Sequence, residues 1–274
     1  MIQHIATIGP FWEEMYDLDA PINSIKFKLN KYFIYKTAKN ADAMIFESMY
    51  TKKYFINTYK IDYDKGHVIN YGKDKYFYKT NDEKELENYQ INKPFALCVS
   101  HLYPYKNIIR MIEAFHIALS QNDSNYELII AGKIYYDDYY KMIKKCINNY
   151  KMENIVKTIG LVNQQELRNL YSNADFLIFP SPCENFAYTL VEAMCCGIPI
   201  TCSNTTAMPE TCEDAAIYFD PNNKGEMAEK IESLMEDKKL REKLSYKALN
   251  RVKNLPDYED GTKVLLNIFN TLCT

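Results

Sequence analysis

With 274 residues, 47% of them hydrophobic and 25% charged, the chain has the composition of a soluble globular protein with room for one large core or two modest ones. A formal net charge of -3 argues against a nucleic-acid binder held by bulk electrostatics. The eight cysteines form no C-x2-C pair and most sit in apolar runs, so they read as free thiols in a reduced, cytosolic compartment. No signal peptide is expected, and no apolar run approaches the ~20 residues of a membrane span. A place at the inner membrane surface stays open.

Residues 1–79 read as a shortened α/β half. A strand is predicted over 2–8, ending at Gly9-Pro10, then a helix over about 25–39 and a short buried strand over 43–46. Ser48 is placed to cap a helix over 49–59, and Val68-Ile69 gives another strand before Asn70-Tyr71-Gly72. The polar stretch 81–92 reads as a linker. From Phe95 the pattern becomes regular, with strands over 95–99, 126–131, 155–159, 175–179, 198–202 and 216–219. Between them lie an apolar stripe at helical spacing (Ile108, Met111, Ile112, Phe115, Leu119), a tyrosine-rich helix over about 136–150, and a capping-box pair, Asn163 and Glu166, opening a helix over 164–171. Helices over 224–235, 238–252 and 257–272 close the chain. Strands alternating with helices through short connections imply a parallel, doubly wound sheet, whose ligands sit at the carboxyl ends of its strands.

The most informative stretch is 180–199, PSPCENFAYTLVEAMCCGIP. The prolines stop the strand before it, Tyr188 to Cys196 favours helix, and Gly197 stands where a helix-ending glycine belongs. Glu184 falls in the loop and Glu192 on the helix, with seven residues between them. Both acids are expected to face one crevice, with the amides of Phe186, Ala187, Tyr188 and Thr189 open between them to attract an anion.

This stretch resembles the E-x7-E signature of retaining glycosyltransferases of family 4, with Asn185 and Ala187 in place of two usual glycines. The segment 99–107, VSHLYPYKN, resembles the same family's G-R-L-x-x-x-K-G/N, with Lys106 matching its lysine and His101 standing where arginine is usual. Ala41-Asp42 through Ser48 and Val68 through Asp74 resemble two later segments of its first domain.

The resemblance implies a GT-B-like α/β fold: a complete doubly wound parallel-sheet C-terminal domain and a truncated N-terminal α/β domain. It implies a partial acceptor-side domain over 1–79, a linker over 80–94, a nucleotide-sugar donor domain over 95–253 and a C-terminal helix, 254–274, packing back on the first domain. The family's opening, on the order of 100 residues with a glycine-rich loop, has no counterpart here. It further implies that Lys106 and His101 meet the donor diphosphate, and that Glu184 serves the transferred sugar and Glu192 the ribose hydroxyls. The base is expected against main chain near Gly160, Leu161 and Val162. Glu210, in a Pro-Glu turn, is expected to brace the loop, and His4, His67 and His116 to be structural or exposed.

The expected activity is retaining, metal-independent hexosyl transfer from a nucleotide sugar (UDP- or GDP-linked) to a glycan or lipid-linked acceptor, with no metal and no separate cofactor. The alternative is a donor-binding subunit, or an inactive remnant, that needs a second chain to complete the acceptor half. An oxidoreductase is disfavoured because no G-x-G-x-x-G follows a predicted strand.

Overall fold

The computed structural model describes residues 1–5, 21–70, 72–91, 94–121 and 124–273. The predicted strand over 2–8 is seen only as far as Ile5; its end and Gly9-Pro10 lie outside the described residues, as does Tyr71.

Two parallel sheets organise the chain. The first contains β1 (Ile2–Ile5), β2 (Ala43–Phe46) and β3 (Gly66–Val68) in the order β1-β2-β3. Strand period decides what each face meets. Met44 and Phe46 pack with Ala38 of α1 (Pro21–Asn40) and Phe55 of α2 (Met49–Tyr59). Ala43 and Ile45 turn to the opposite face, against Ile69 and against Ile268 of the C-terminal helix.

The second sheet holds six strands in the order β6-β5-β4-β7-β8-β9: β4 (Phe95–Val99), β5 (Glu127–Ala131), β6 (Val156–Gly160), β7 (Phe176–Phe179), β8 (Ile200–Ser203) and β9 (Ala216–Phe219). The apolar runs are nearly continuous because both faces are covered. Ala96, Cys98, Leu128, Ile130, Phe176 and Ile178 meet α4 (Ile108–Gln121), α5 (Asp137–Asn149) and α9 (Lys224–Glu236). Phe95, Leu97, Ile129, Leu177 and Phe179 meet α6 (Gln164–Asn173), α7 (Tyr188–Cys195) and α10 (Lys238–Lys253). From β4 the chain steps outward to β5 and β6, then returns to β7 on β4's other side. The strand order therefore reverses between β4 and β7, where doubly wound sheets open a ligand crevice.

The predicted linker is not featureless. It contains α3 (Lys84–Asn88), whose buried Glu85 accepts a hydrogen bond from Asn169 Nδ2 at 2.7 Å. The chain passes between the sheets twice, at 72–73 and 256–257, and the passes touch: Lys73 N–H donates to the Pro256 carbonyl at 3.0 Å. Gly72 has φ +67°, and a Cβ there would sit 1.6 Å from the Pro256 oxygen, so only glycine fits. The last helix, α11 (Tyr258–Cys273), then lies against the first sheet through Leu265 and Ile268. Among the described residues no helix is long and apolar enough to cross a membrane.

Candidate active site

At the carboxyl ends of β4, β5, β6 and β7 lies a cavity of about 340 Å³. Each strand end supplies a wall for a local reason. After β4 the chain stays paired with the β5 loop, Leu102 N–H donating to the Lys133 carbonyl at 2.9 Å, which carries His101 to the cavity edge. One turn of 3-10 helix, Pro104–Lys106, then sets Lys106 at the rim. Asn107 ends that turn at φ +62°, a conformation asparagine tolerates, and its Nδ2 donates to the Pro221 carbonyl at 2.8 Å. Arg110 Nη1 donates to Asn107 Oδ1 at 2.9 Å and fixes that side chain.

After β5, Gly132 closes on the β4 loop; a Cβ there would come within 1.9 Å of the Ser100 carbonyl oxygen. Gly160 ends β6 at φ +77° with open space where its Cβ would stand, and Leu161 and Val162 follow into the cavity wall. After β7 the loop carrying Glu184 is braced from the β8 side. Thr205 Oγ1 donates to the Pro182 carbonyl at 2.8 Å, and the Glu184 amide donates to Thr206 Oγ1 at 3.1 Å.

Lys106 Nζ lies 2.5 Å from Glu184 Oε1, and their side chains are only 15% and 17% exposed. Burial alone would depress the Lys106 pKa, but the Glu184 carboxylate and the Tyr105 hydroxyl outweigh it and hold the ammonium above its usual value. The pair comes from loops 78 residues apart in sequence.

His101 lines the same cavity but offers less charge than arginine would. Burial, Lys106 and Lys133 all lower its pKa, and its Nδ1 accepts the Lys133 amide at 3.2 Å. The neutral ring thus carries its proton on Nε2, as a hydrogen-bond donor. Where the resemblance places an arginine cation, the structure thus holds an imidazole that is neutral in the neutral range.

Phe186, Ala187, Tyr188 and Thr189 line the cavity where α7 begins. Ala187, the residue before the helix, has no side chain able to cap it. The expected set of four open amides is reduced, however: Tyr188 N–H is taken by the Phe186 carbonyl at 3.1 Å. The amides of Phe186, Ala187 and Thr189 find no acceptor among the described residues. At its far end α7 closes as expected, with Gly197 at φ +70° donating to Met194 and Ile198 donating to Ala193.

Two of the expected site residues do not line this cavity. Glu192 lies one turn beyond Tyr188, where its Oε2 accepts from Tyr171 Oη at 3.2 Å. Burial pushes its pKa up to about 7, Tyr171 opposes the shift and Asp74 adds to it. Asn185 is buried and faces the first sheet: its carbonyl accepts from Thr51 Oγ1 at 3.3 Å, and its side-chain amide donates to Glu47.

Glu210, on the short helix α8 (Met208–Cys212), reaches to the first sheet's side. Its two carboxylate oxygens accept the amides of Met49 and Tyr50, each at 2.8 Å, at the start of α2. His4 also has a neighbour, Glu47, at 3.7 Å. Tyr103, Tyr105 and Leu167 also line the cavity, and Asn107, Arg110 and Thr206 brace its loops, roles the sequence does not announce by motif. The polar run Ser203-Asn204-Thr205-Thr206 after a buried strand was the available signal for the last of these.

Residues 78–251 match the family described as glycosyl transferases group 1. The chain belongs to that family. Among curated proteins it is similar to O-antigen chain mannosyltransferase B of Escherichia coli, 28% identical over 188 residues, 68% of this chain and 49% of that protein. It is also similar to O-antigen chain mannosyltransferase RfbU of Salmonella typhimurium, 27% identical over 218 residues, 79% of this chain and 55% of that protein. The chain thus spans about half the length of these relatives. Solved structures show the fold. A glycosyltransferase from Rickettsia africae superposes with a TM-score of 0.78 at 24% identity, over 86% of this chain and 65% of that one. Anabaena Alr3699/HepE, in complex with UDP and glucose, superposes at 0.77 and 22%, over 87% and 67%. Within the group 1 family, this chain has the GT-B glycosyltransferase fold.

Proposed function

We propose that this chain is a retaining, metal-independent hexosyltransferase of family 4 type, using a UDP- or GDP-linked sugar. The observation that carries the reading is one cavity, at the switch point of a doubly wound sheet, lined by Lys106, Glu184 and the residues that open α7. A nucleoside diphosphate suits that arrangement, because negative charge grows on its terminal phosphate as the glycosidic bond breaks. The domain division expected from the sequence, with donor domain 95–253 and acceptor-side half 1–79, belongs to this proposal.

In the proposed reaction the bond between the sugar anomeric carbon and the phosphate oxygen breaks, and the electron pair leaves with the nucleoside diphosphate. Lys106, His101 Nε2–H and the amides of Phe186, Ala187 and Thr189 stabilise that charge. An acceptor hydroxyl attacks from the same face, and its proton passes to the departing phosphate oxygen, so configuration is retained. Glu184 accepts hydrogen bonds from the transferred sugar. Glu192 takes the ribose hydroxyls by exchanging its Tyr171 partner for them, and the base lies along Leu161 and Val162. The acceptor is a glycan or a lipid-linked glycan presented at the cytoplasmic face of the inner membrane.

A second reading, a donor-binding chain completed by another polypeptide, is favoured by β1. Among the described residues it pairs only with β2 and leaves one edge open. The experiment is to incubate the chain with labelled UDP- and GDP-sugars, glycan acceptors and a metal chelator, and read the anomeric configuration of any product by NMR. An α-linked product from an α-linked donor supports the first reading. Donor binding with transfer appearing only after a second polypeptide is added supports the second, and inversion or dependence on metal contradicts the mechanism.

A further inference from the structure

Asn185 follows Glu184 directly, yet its polar partners come from the other sheet. Its side-chain amide donates to the Glu47 carboxylate, just after β2, and its carbonyl accepts from Thr51 Oγ1 at 3.3 Å, in the first turn of α2. Both ends of this contact are shielded: Asn185 is 8% exposed and the Glu47 side chain 14%. The segment after β8 is gripped at the same place, since Glu210, on the short helix that follows its loop, holds the amides of Met49 and Tyr50. That loop also carries Thr206, which receives the Glu184 amide. The start of α2 therefore holds both loops that fix the backbone of Glu184.

A shielded carboxyl group with an amide donor is costly to leave unpaired, so Glu47 constrains Asn185 more tightly than a surface contact would. The constraint passes along one peptide unit to Glu184, whose carboxylate is paired with Lys106. A displacement of about 1 Å at such a group is enough to lower a rate by ~100-fold.

We infer that Glu47 is a positioning residue: acting through Asn185, it sets the Glu184 carboxylate against Lys106, so that the reaction centre is complete only while the β2–α2 corner is seated on the donor-side loops. The catalytic consequence rests on the function proposed above; the positional claim does not.

The test is hydrogen–deuterium exchange on the full chain, comparing wild type with Glu47→Ala, Glu47→Gln and Asn185→Ala. Exchange at amides 184–187 is expected to rise about tenfold or more in Glu47→Ala, while the strands of both sheets keep their protection. Glu47→Gln, which still offers an oxygen to Asn185, is expected to restore it. Asn185→Ala should match Glu47→Ala, and combining the two should add little. Unchanged exchange at 184–187 in Glu47→Ala overturns the inference, as does Glu47→Gln behaving like Glu47→Ala. Exchange rising throughout the molecule in all three variants also overturns it, because Glu47 would then be a general stabiliser. Where transfer is measured, Glu47→Ala should lower kcat with donor Kd unchanged. Absence of donor binding in wild type would remove the proposed function but leave the exchange result readable.

Discussion

Lys106 Nζ stands 2.5 Å from Glu184 Oε1, so the cavity's ammonium is already paired before any anion enters. Under the proposed function an arriving diphosphate would compete with Glu184 for Lys106. Replacing Glu184 by Gln removes the competitor while keeping the shape. Glu184→Gln is expected to bind nucleoside diphosphate as tightly as wild type or several-fold tighter, with transfer reduced at least 100-fold. Calorimetry and an activity assay on the same sample separate the two effects. Weaker diphosphate binding in Glu184→Gln would mean that the pair is a binding unit rather than a competition.

Glu192 predicts two pH effects of opposite sign. Burial raises its folded pKa from 4.5 to about 7. The folded state thus holds a proton that the unfolded state has lost, and the stability this gives is full below pH 4.5 and lost as pH rises through 7. Glu192→Gln should remove that loss, a difference of up to about 3 kcal/mol at pH 8. Chemical denaturation at pH 5 and pH 8 reads it. Donor affinity should run the other way and rise through pH 7, because ribose hydroxyls need the ionised carboxylate as acceptor. Glu47, raised by burial to about 7 and opposed by Asn185, acts on stability in the same direction, so Glu47→Gln belongs in the same series.

Gly72 should be intolerant of a side chain. Its φ of +67° and the Pro256 oxygen 1.6 Å from a built Cβ leave no room at the crossing of the two passes. Gly72→Ala is expected to cost about 2–5 kcal/mol in urea denaturation. Gly225, in the first turn of α9, is the control: its Cβ would meet Asn223 Oδ1 at an ordinary 3.4 Å. Gly225→Ala should be neutral or stabilising by up to about 1 kcal/mol.

Glu210 caps a helix that belongs to the other sheet. Glu210→Ala leaves the Met49 and Tyr50 amides without their acceptor and removes a negative charge from the α2 start. A loss of about 1–2 kcal/mol is expected, with protease sensitivity appearing around residues 47–52 before the second sheet is attacked. Glu210→Gln, with one acceptor oxygen left, should fall between.

The parts of this molecule that were legible in its sequence are those set by short-range chemistry. Asn163 and Glu166 form the reciprocal capping box, and Ser48 caps α2 through the Thr51 amide. Gly197 ends α7 because a C′ glycine accepts the left-handed turn that other residues resist. Alternating apolar strands and helices announced the parallel sheet, and the family resemblance pointed to Lys106 and Glu184, which line one cavity at its strand ends. Contacts between distant segments left no such trace. Nothing near Asn185 announces that its carbonyl meets Thr51, 134 residues earlier, or that Glu210 meets Tyr50, 160 residues earlier. Glu192 carried the right spacing, but the spacing did not show that Tyr171 would hold its carboxylate one turn behind the cavity. His101 resembled a weak arginine until the Lys133 amide fixed its tautomer.

The most direct test of the account is calorimetric titration of the chain with UDP, GDP and their sugar conjugates, in parallel with Lys106→Ala. The account predicts saturable binding of one nucleoside diphosphate series to wild type, and at least a tenfold loss of that affinity in a Lys106→Ala protein shown to be folded. Undiminished affinity in folded Lys106→Ala, or no binding by wild type across both series, would contradict it.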